Sequence, residues 1–244
     1  SSFDAPGVLT RNPALLKEVF LSMIGVDPAD DQSFELRSKE SKPSRKRIIL
    51  CVNRSLGEME LLQTKLRSFL AQLKLNGFEI IFIDLPEVSF DYKTISSTDI
   101  RADITKFLHR YGSDNEPRSF EGLVECYRER PHAHLYGMER LEDALAMPQI
   151  EKSELKKLVQ ENVVKARNLI NSILDRYDAD FVGFLNFVDW FSIGGGPSST
   201  LPVSFETKPP ISIMLGSRVG NDLALLDIVQ EFSEVAKAAQ HTDN

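Results

Sequence analysis

The chain has 244 residues, and its 29 Lys and Arg against 36 Asp and Glu give a formal net charge of −7. This length suits one large domain or two small ones. The 42% hydrophobic and 27% charged residues are typical of a globular protein and exclude a collagen-like fibre, a disordered tail and a disulfide scaffold. The acidic balance argues against a nucleic-acid partner, which clustered Lys and Arg would attract.

The sequence shows no sign of a membrane or export segment. No apolar run approaches the ~20 residues of a membrane-spanning helix, so we expect no membrane partner. Two cysteines, Cys51 and Cys126, favour a reducing compartment, and we expect a cytoplasmic protein. The chain opens with Ser-Ser-Phe-Asp, without an initiator Met and without a charged-then-apolar signal segment. A start without Met is expected of a cleaved product or a cloned piece.

The first predicted element is a helix that starts at Asn12-Pro13, an Asn cap followed by Pro at the first helical position. Apolar residues recur at helical spacing up to Ile24, and Asp27-Pro28 is expected to end the helix. The polar and basic segment 32–47 then predicts a loop or linker.

A strand–helix–strand unit is predicted next. Residues 48–52 and 78–85 are short apolar runs, as expected of strands buried on both faces. One apolar stripe between them predicts a long helix over 61–73, which Asn76-Gly77 closes. This order implies a parallel pair of strands with a right-handed crossover.

The middle of the chain predicts helices and loops. The helices are expected over 99–111, around 123–127, over 136–147 and over 151–178, where apolar residues keep a 3.6-residue period. A polar loop is predicted over 112–118.

The last third of the chain returns to strands, which are predicted over 181–185, 201–205 and 211–215. Asn221 or Asp222 is expected to cap a final helix, and the tail from Ala238 is expected to fray. About five strands alternate with about seven helices. This alternation predicts one α/β domain over 1–244, a layered α/β/α fold with a mixed, mostly parallel central sheet.

Residues 193–200 (IGGGPSST) form the most conspicuous local motif. Three glycines and two serines are able to cradle a phosphate with backbone N–H groups, which would make the chain an anion-binding module. The motif lacks the Lys of a P-loop, its glycines are contiguous, and a strand rather than a helix is expected after it. The alternative interpretation is a tight turn that enters the strand.

Histidine and cysteine chemistry is sparse. His132 and His134 stand two residues apart, but a metal site needs further ligands, so exposed loop residues are the favoured interpretation. Cys51 falls inside a predicted buried strand, where a thiol acts as a small hydrophobe. Cys126 is expected on a helix face. The residues therefore do not predict a metal site.

A carboxylate and the single Trp follow the predicted strand 181–185. Asp189 and Trp190 stand where ligands of open α/β sheets bind, beyond the carboxyl ends of strands. Together with the nearby hydroxyls of Ser192 and Ser198 they are candidates for the wall of a substrate pocket that reads an amine or amide. The alternative is a surface loop whose Trp packs on the core.

Several blocks of sequence, in order along the chain, resemble the second half of the amidase signature family, the Ser-Ser-Lys hydrolases of carboxylic amides. The first three blocks lie at Ser1–Asp31 with its Gly25-x-Asp27-Pro28 end, at 47–52, and at 61–86 with Gly77, Glu79 and Leu85-Pro86. The others lie at Tyr136-Gly137 with Leu141 and Ala144, at Gly195–Pro202, and at Pro210–Gly216 with Asp222, Leu225, Leu226 and Phe232. This resemblance implies a partial amidase-signature fold and an amide substrate, and no metal or organic cofactor.

The resemblance also implies that the reaction residues are elsewhere. In the family, a Ser nucleophile, a bridging Ser and a Lys base lie in the first half, in a Gly/Ser-rich stretch that ends shortly before the block at Ser1. We therefore assign no catalytic residue to this chain. It is expected to supply core and pocket wall, to be silent without the N-terminal half, and to self-associate when isolated because apolar surface is then exposed.

The chain departs from the family pattern after the strand 181–185. The family commonly has Pro-Thr there, and this sequence has Leu185-Asn186-Phe187. Ser212 replaces a family Gly, and the Gly expected near Phe205-Glu206 is absent. These departures favour an alternative hypothesis, an amidase-derived binding or scaffold module that never cleaves a substrate.

Overall fold

The computed structural model describes residues 2–28, 46–114, 116–130, 132, 137–204 and 210–242. The chain divides into two compact units. The helical unit comprises Ser1–Asp4 and Val88–Val163, and the sheet unit comprises Ala5–Glu87 and Val164–Asn244. The single domain expected over the whole chain stays a prediction.

Within its described residues the chain forms five strands and nine helices, with a short 3₁₀ turn at Arg54–Leu56. In chain order they are α1 (Pro13–Met23), β1 (Arg47–Val52), α2 (Glu58–Thr64), α3 (Arg67–Leu75), β2 (Glu79–Asp84), α4 (Tyr92–Tyr111), α5 (Phe120–Arg128), α6 (Glu139–Ala146), α7 (Lys152–Arg176), β3 (Phe181–Phe184), α8 (Trp190–Gly194), β4 (Ser198–Ser204), β5 (Ile211–Gly216) and α9 (Asp222–Thr242).

All five strands form one sheet in the order β2-β1-β3-β5-β4. β1 pairs in parallel with both β2 and β3, whereas β5 is antiparallel to both β3 and β4. Four strands therefore run in one direction and only β5 opposes them. The predicted mixed, mostly parallel sheet is confirmed.

One face of the sheet is covered by α3 and α9. Alternate side chains of β1, such as Ile48 and Leu50, join the same buried cluster as Phe69 of α3 and Phe232 of α9. Phe69 and Phe232 meet edge to face with ring centroids 5.1 Å apart, a favoured aromatic geometry.

The other face of the sheet is covered by α8 and the second part of α7. Leu215 belongs to the α9-side cluster, so its neighbour Gly216 faces the opposite way. The ring of Phe191 from α8 lies directly over Gly216, and Arg167 of α7 contacts Gly194 at the end of α8. Helices on both faces of the sheet confirm the layered α/β/α fold.

The helical unit has a small core of its own, between α4, α5 and α6. Phe120, Val124 and Ala144 are each at most 1% exposed there. Ser119 caps α5 by accepting a hydrogen bond from the backbone N–H of Gly122 at 3.1 Å, an arrangement that satisfies a free helix-end donor.

The predicted single helix over 61–73 is two helices, α2 and α3. At the join the N–H of Leu66 bonds to the carbonyl of Leu61 at 3.3 Å, one residue further back than in a regular α-helix. Leu62 and Leu66 both stay buried across this join. Burial of the apolar stripe therefore outweighs a continuous hydrogen-bond ladder.

Three other helix ends differ from the predictions. α1 stops at Met23 because Ile24 adopts an extended backbone, and α4 begins at Tyr92, earlier than position 99, with Ile95 fully buried. The expected fraying from Ala238 is wrong, since α9 continues to Thr242 and Ala239 is 3% exposed. Residues 32–45 of the predicted linker lie outside the described residues, as do Phe205 and Tyr136.

Gly216 is the position where an added methyl group would do most harm. A Cβ there would lie 2.1–2.5 Å from three ring atoms of Phe191, far inside van der Waals contact. We expect Gly216→Ala to lower the free energy of unfolding by about 1–3 kcal/mol, as overpacking does. Urea denaturation followed by circular dichroism measures this change.

The matched control for this substitution is Gly7→Ala in the same unit. A Cβ at Gly7 would meet no atom within 4 Å, so its free energy of unfolding should stay within about 0.5 kcal/mol of the parent. Equal effects of the two substitutions would contradict the packing of Phe191 on Gly216.

Candidate functional site

The segment after β3 carries the predicted pocket residues Asp189, Trp190 and Ser192. Trp190 is 3% exposed, and its ring meets that of Phe184 edge to face at 5.0 Å. The indole is therefore a core side chain that anchors the start of α8, and it offers little surface to a ligand.

Asp189 precedes α8 and is half-buried, with no side-chain hydrogen bond that caps the helix. Burial raises the pKa of its carboxyl group above the ordinary value, against a smaller lowering by its own backbone N–H. Ser192 is exposed, and its hydroxyl donates a hydrogen bond to the Asp189 carbonyl at 2.9 Å. Asp189 is thus the group of this segment with chemistry to offer, a carboxyl that accepts a proton more readily than usual.

Ser198 lies apart from these three residues. It is the first residue of β4 and is exposed. Its partner in the ladder is Gly216, which pairs in turn with Val182 near the start of β3. Because β3 and β4 run in the same direction, Ser198 lies at the amino-terminal ends of these strands. The residues that follow β3 lie at the opposite, carboxyl-terminal ends.

The Gly-rich stretch is a turn that enters a strand. Gly194 ends α8, and Gly195 takes a left-handed conformation with φ 67°, which favours glycine. The N–H of Gly196 donates to the Phe191 carbonyl at 3.0 Å, and Arg167 donates from Nε to the Gly194 carbonyl at 2.6 Å. These internal bonds support the turn interpretation over a phosphate cradle.

The carboxyl ends of β1 and β3 are joined by a buried carboxylate, Glu58, that the sequence analysis missed. Glu58 is 6% exposed and accepts a hydrogen bond from the backbone N–H of Asn53 at 2.6 Å. Its other oxygen accepts from the side-chain amide of Asn186. We call Glu58, Asn53 and Asn186 the carboxylate clamp.

The carboxylate clamp fixes an exposed amide at the carboxyl ends of the strands. Asn186 is exposed, and the neighbouring Phe187 is 79% exposed. Glu58 makes no ion pair with any cation among the residues that the structure describes. The charge is therefore held by N–H donors, and a carboxylate stabilised in this way orients its partners strongly.

A buried thiol lies close to the carboxylate clamp. Burial, and to a smaller extent the charge of Glu58, raises the pKa of Cys51 to about 12. The thiol stays protonated at neutral pH and is not a nucleophile. Cys51 therefore acts as the small buried hydrophobe that the strand pattern predicted.

Other candidate sites carry little chemistry. No group of three or more His, Cys, Asp or Glu among the described residues is placed to hold a metal ion. His132 is exposed, and His134 lies outside the described residues. Within those residues, no helix combines the length and apolar character needed to cross a membrane.

Two features of the sequence are consistent with the carboxylate clamp, although neither revealed it. The departure at Leu185-Asn186-Phe187 marked Asn186, and Glu58 stands six residues beyond the buried strand β1. Their contact joins positions 128 residues apart, and periodicity does not reveal such a pair.

Comparison by sequence finds no matching family model and no match among curated proteins. Comparison by structure finds an amidase family protein from Bacillus anthracis str. Ames, with a TM-score of 0.75 and 17% identity over 97% of this chain and 49% of that chain. The peptide amidase from Stenotrophomonas maltophilia matches with a TM-score of 0.74 and 16% identity, over 97% and 54% of the two chains.

A bacterial aryl acylamidase described as an amidase signature enzyme also matches, with a TM-score of 0.57 and 14% identity over 94% of this chain and 54% of that chain. The chain thus has the α/β fold of amidase-family structures and spans about half the length of those it matches.

Removal of the central carboxylate should weaken the sheet unit. We expect Glu58→Ala to lower the free energy of unfolding by about 2–3 kcal/mol, because the N–H of Asn53 and the amide of Asn186 lose a charged acceptor. Asn186→Ala should cost about 1 kcal/mol, since an exposed amide is lost and Glu58 keeps Asn53. Urea denaturation of both variants measures the two losses.

The double variant separates the contact from its surroundings. With Glu58→Ala in place, Asn186→Ala should cost less than it does alone, and the difference is the coupling energy of the pair. Strictly additive effects would show that the two side chains do not interact.

Proposed function

We propose that this chain is the C-terminal portion of an amidase-family hydrolase that cleaves carboxylic amide C–N bonds. It supplies the sheet, its helical cover and a wall of the substrate pocket, and it is catalytically silent without an N-terminal half. The whole protein takes a small amide substrate and works in the cytoplasm without metal or organic cofactor.

The observation that carries this proposal is the asymmetry of the structural match. Nearly the whole chain, 97%, superposes on amidase-family proteins, but it accounts for only 49% and 54% of the first two. The sequence blocks that resemble the amidase signature family lie in the same order along this chain and point to that family's second half.

The proposed pocket wall is the segment after β3. Asp189 is its polar group, Trp190 fixes the segment on the core, and Ser192 holds the Asp189 carbonyl. The sequence prediction for Ser198 stays a prediction, because Ser198 lies at the other end of the strands from this segment.

A second candidate function is a binding or scaffold module derived from an amidase. The carboxylate clamp favours it, because Asn186 occupies a position where the family commonly has Pro-Thr and is bound to a buried carboxylate. An amide that a carboxylate orients in this way is able to bind a partner group without any catalysis by the chain.

Intact mass and amide hydrolysis distinguish the two candidates. We expect the native gene product, isolated from its own cells, to have about twice the mass of this chain and to release ammonia or amine from a panel of primary and secondary amides. The isolated chain should release neither.

Two outcomes would contradict the proposal. Turnover by the isolated chain would show that its own residues catalyse the reaction. A native product of this size that hydrolyses none of the amides would favour the binding or scaffold module.

We also propose that the isolated chain self-associates through α1. Leu15, Val19 and Met23 lie on one side of α1 at i, i+4 and i+8 and are 45%, 40% and 52% exposed. The other side is held to the core, where Lys17 pairs with Asp227 at 2.6 Å. An exposed apolar helix face of this kind marks an interaction surface.

Sedimentation velocity over a wide concentration range tests this association. The parent chain should form dimers or larger species, and Val19→Glu should shift it towards monomer because a charge on the apolar face opposes burial. Glu18→Gln on the exposed polar side of α1 is the control and should leave the distribution unchanged. A monodisperse parent monomer that binds no apolar-surface dye would overturn the proposal.

A further inference from the structure

The helical unit contains a cleft of about 360 Å³ between α4, α5, α6 and the segment after α6. It lies outside the pocket wall and the carboxylate clamp described above. Its volume is at the small end of the range for ligand cavities. Residues that line it and enter the argument are Ser97, Arg101, Ala102, Ala144, Met147 and Ile150.

Ser97 is a buried residue on α4 that lines the cleft. The residue is 5% exposed, and within the described part of the chain its hydroxyl makes no hydrogen bond. Its neighbours are satisfied, since Ser96 donates to the Lys93 carbonyl at 3.3 Å and Thr98 donates to the Thr94 carbonyl at 2.8 Å.

Ser97 is one of the residues that line the cleft. A carbonyl oxygen bound there would accept a hydrogen bond from the Ser97 hydroxyl in the place of water.

A second donor stands one helical turn along α4. Arg101 donates from Nε and Nη2 to one oxygen of Glu121, at 2.9 and 2.5 Å, and its Nη1 has no partner among the described residues. Ser97 and Arg101 are four residues apart and share one face of α4. The cleft therefore presents two N–H or O–H donors side by side.

The charge of the cleft is balanced. Glu121 neutralises Arg101, so a ligand gains little from carrying a negative charge. The hydroxyl of Thr105 has no proton to give, because it already donates to the Arg101 carbonyl at 2.8 Å. Apart from Thr98 and Gln149, the rest of the wall is apolar, with Ala102, Ala144, Met147, Pro148 and Ile150.

We infer that this cleft binds a small uncharged molecule with an apolar body and a carbonyl group. The carbonyl oxygen accepts hydrogen bonds from the Ser97 hydroxyl and Nη1 of Arg101, and the apolar body packs between α4 and the segment after α6. The inference rests on these contacts and not on the proposed hydrolase.

Acetophenone is the test probe, since it combines one carbonyl with one phenyl ring. It is titrated into the ¹⁵N-labelled full chain and followed by amide NMR. We expect saturable shifts of the amides around the cleft, at Thr98, Ala102 and Ile150. Ethylbenzene, which lacks the carbonyl, should bind more weakly, and benzoate should gain nothing over acetophenone.

Three variants locate the binding. Ser97→Ala removes one donor and should weaken acetophenone binding about five-fold, the value of one hydrogen bond. Ala102→Leu fills the cleft from an exposed position and should abolish the shifts. Ser96→Ala, one residue from Ser97 but outside the cleft, should bind like the parent.

Several results would overturn the inference. They are the absence of saturable shifts in the folded parent chain, shifts that survive Ala102→Leu, and equal affinities of the parent and Ser97→Ala. Tighter binding of benzoate than of acetophenone would overturn the neutral ligand class and indicate an anion site.

Discussion

The parallel pairing of β1 with β3 is the contact on which the sheet unit depends. The two strands are joined through register pairs such as Ile48 with Phe181 and Cys51 with Phe184, more than 100 residues apart in sequence. This pairing unites the β2-β1 half of the sheet with the β5-β4 hairpin. It also brings the ends of β1 and β3 side by side, which allows Glu58 to bind Asn186.

On the opposite face of the sheet, the packing of α8 depends on a glycine. Because Gly216 has no Cβ, the ring of Phe191 lies against the backbone of β5, and α8 follows the sheet closely. Trp190 and Arg167 secure the two ends of this helix. The segment that holds Asp189 is therefore rigidly supported from both sides, which suits a pocket wall.

The two units offer different chemistry. The sheet unit has a charged, oriented group at the carboxyl ends of its strands, the carboxylate clamp. The helical unit has a cleft that is lined by Ser97 and by the ion pair of Arg101 with Glu121. The carboxylate clamp and the cleft lie in different units of the chain.

Sequence reasoning succeeded where one physical pattern dominates a segment. The apolar run 48–52 correctly predicted β1, because a strand that is buried on both faces is apolar throughout. The 3.6-residue period over 151–178 correctly predicted α7, because a helix that is buried along one stripe repeats its apolar residues at that spacing. The start of α4 at Tyr92 was missed since its first turns are polar and only Ile95 signals a buried side.

By itself, the sequence determined the α/β class and the five strands, since alternation and apolar runs act locally. Only the tertiary structure decided that Trp190 is a core anchor, that Ser198 lies at the other end of the strands, and that Glu58 and Asn186 meet. The reason is physical. Strand order and register bring residues from distant parts of the chain together, and a local sequence pattern contains no information about which distant residues will meet.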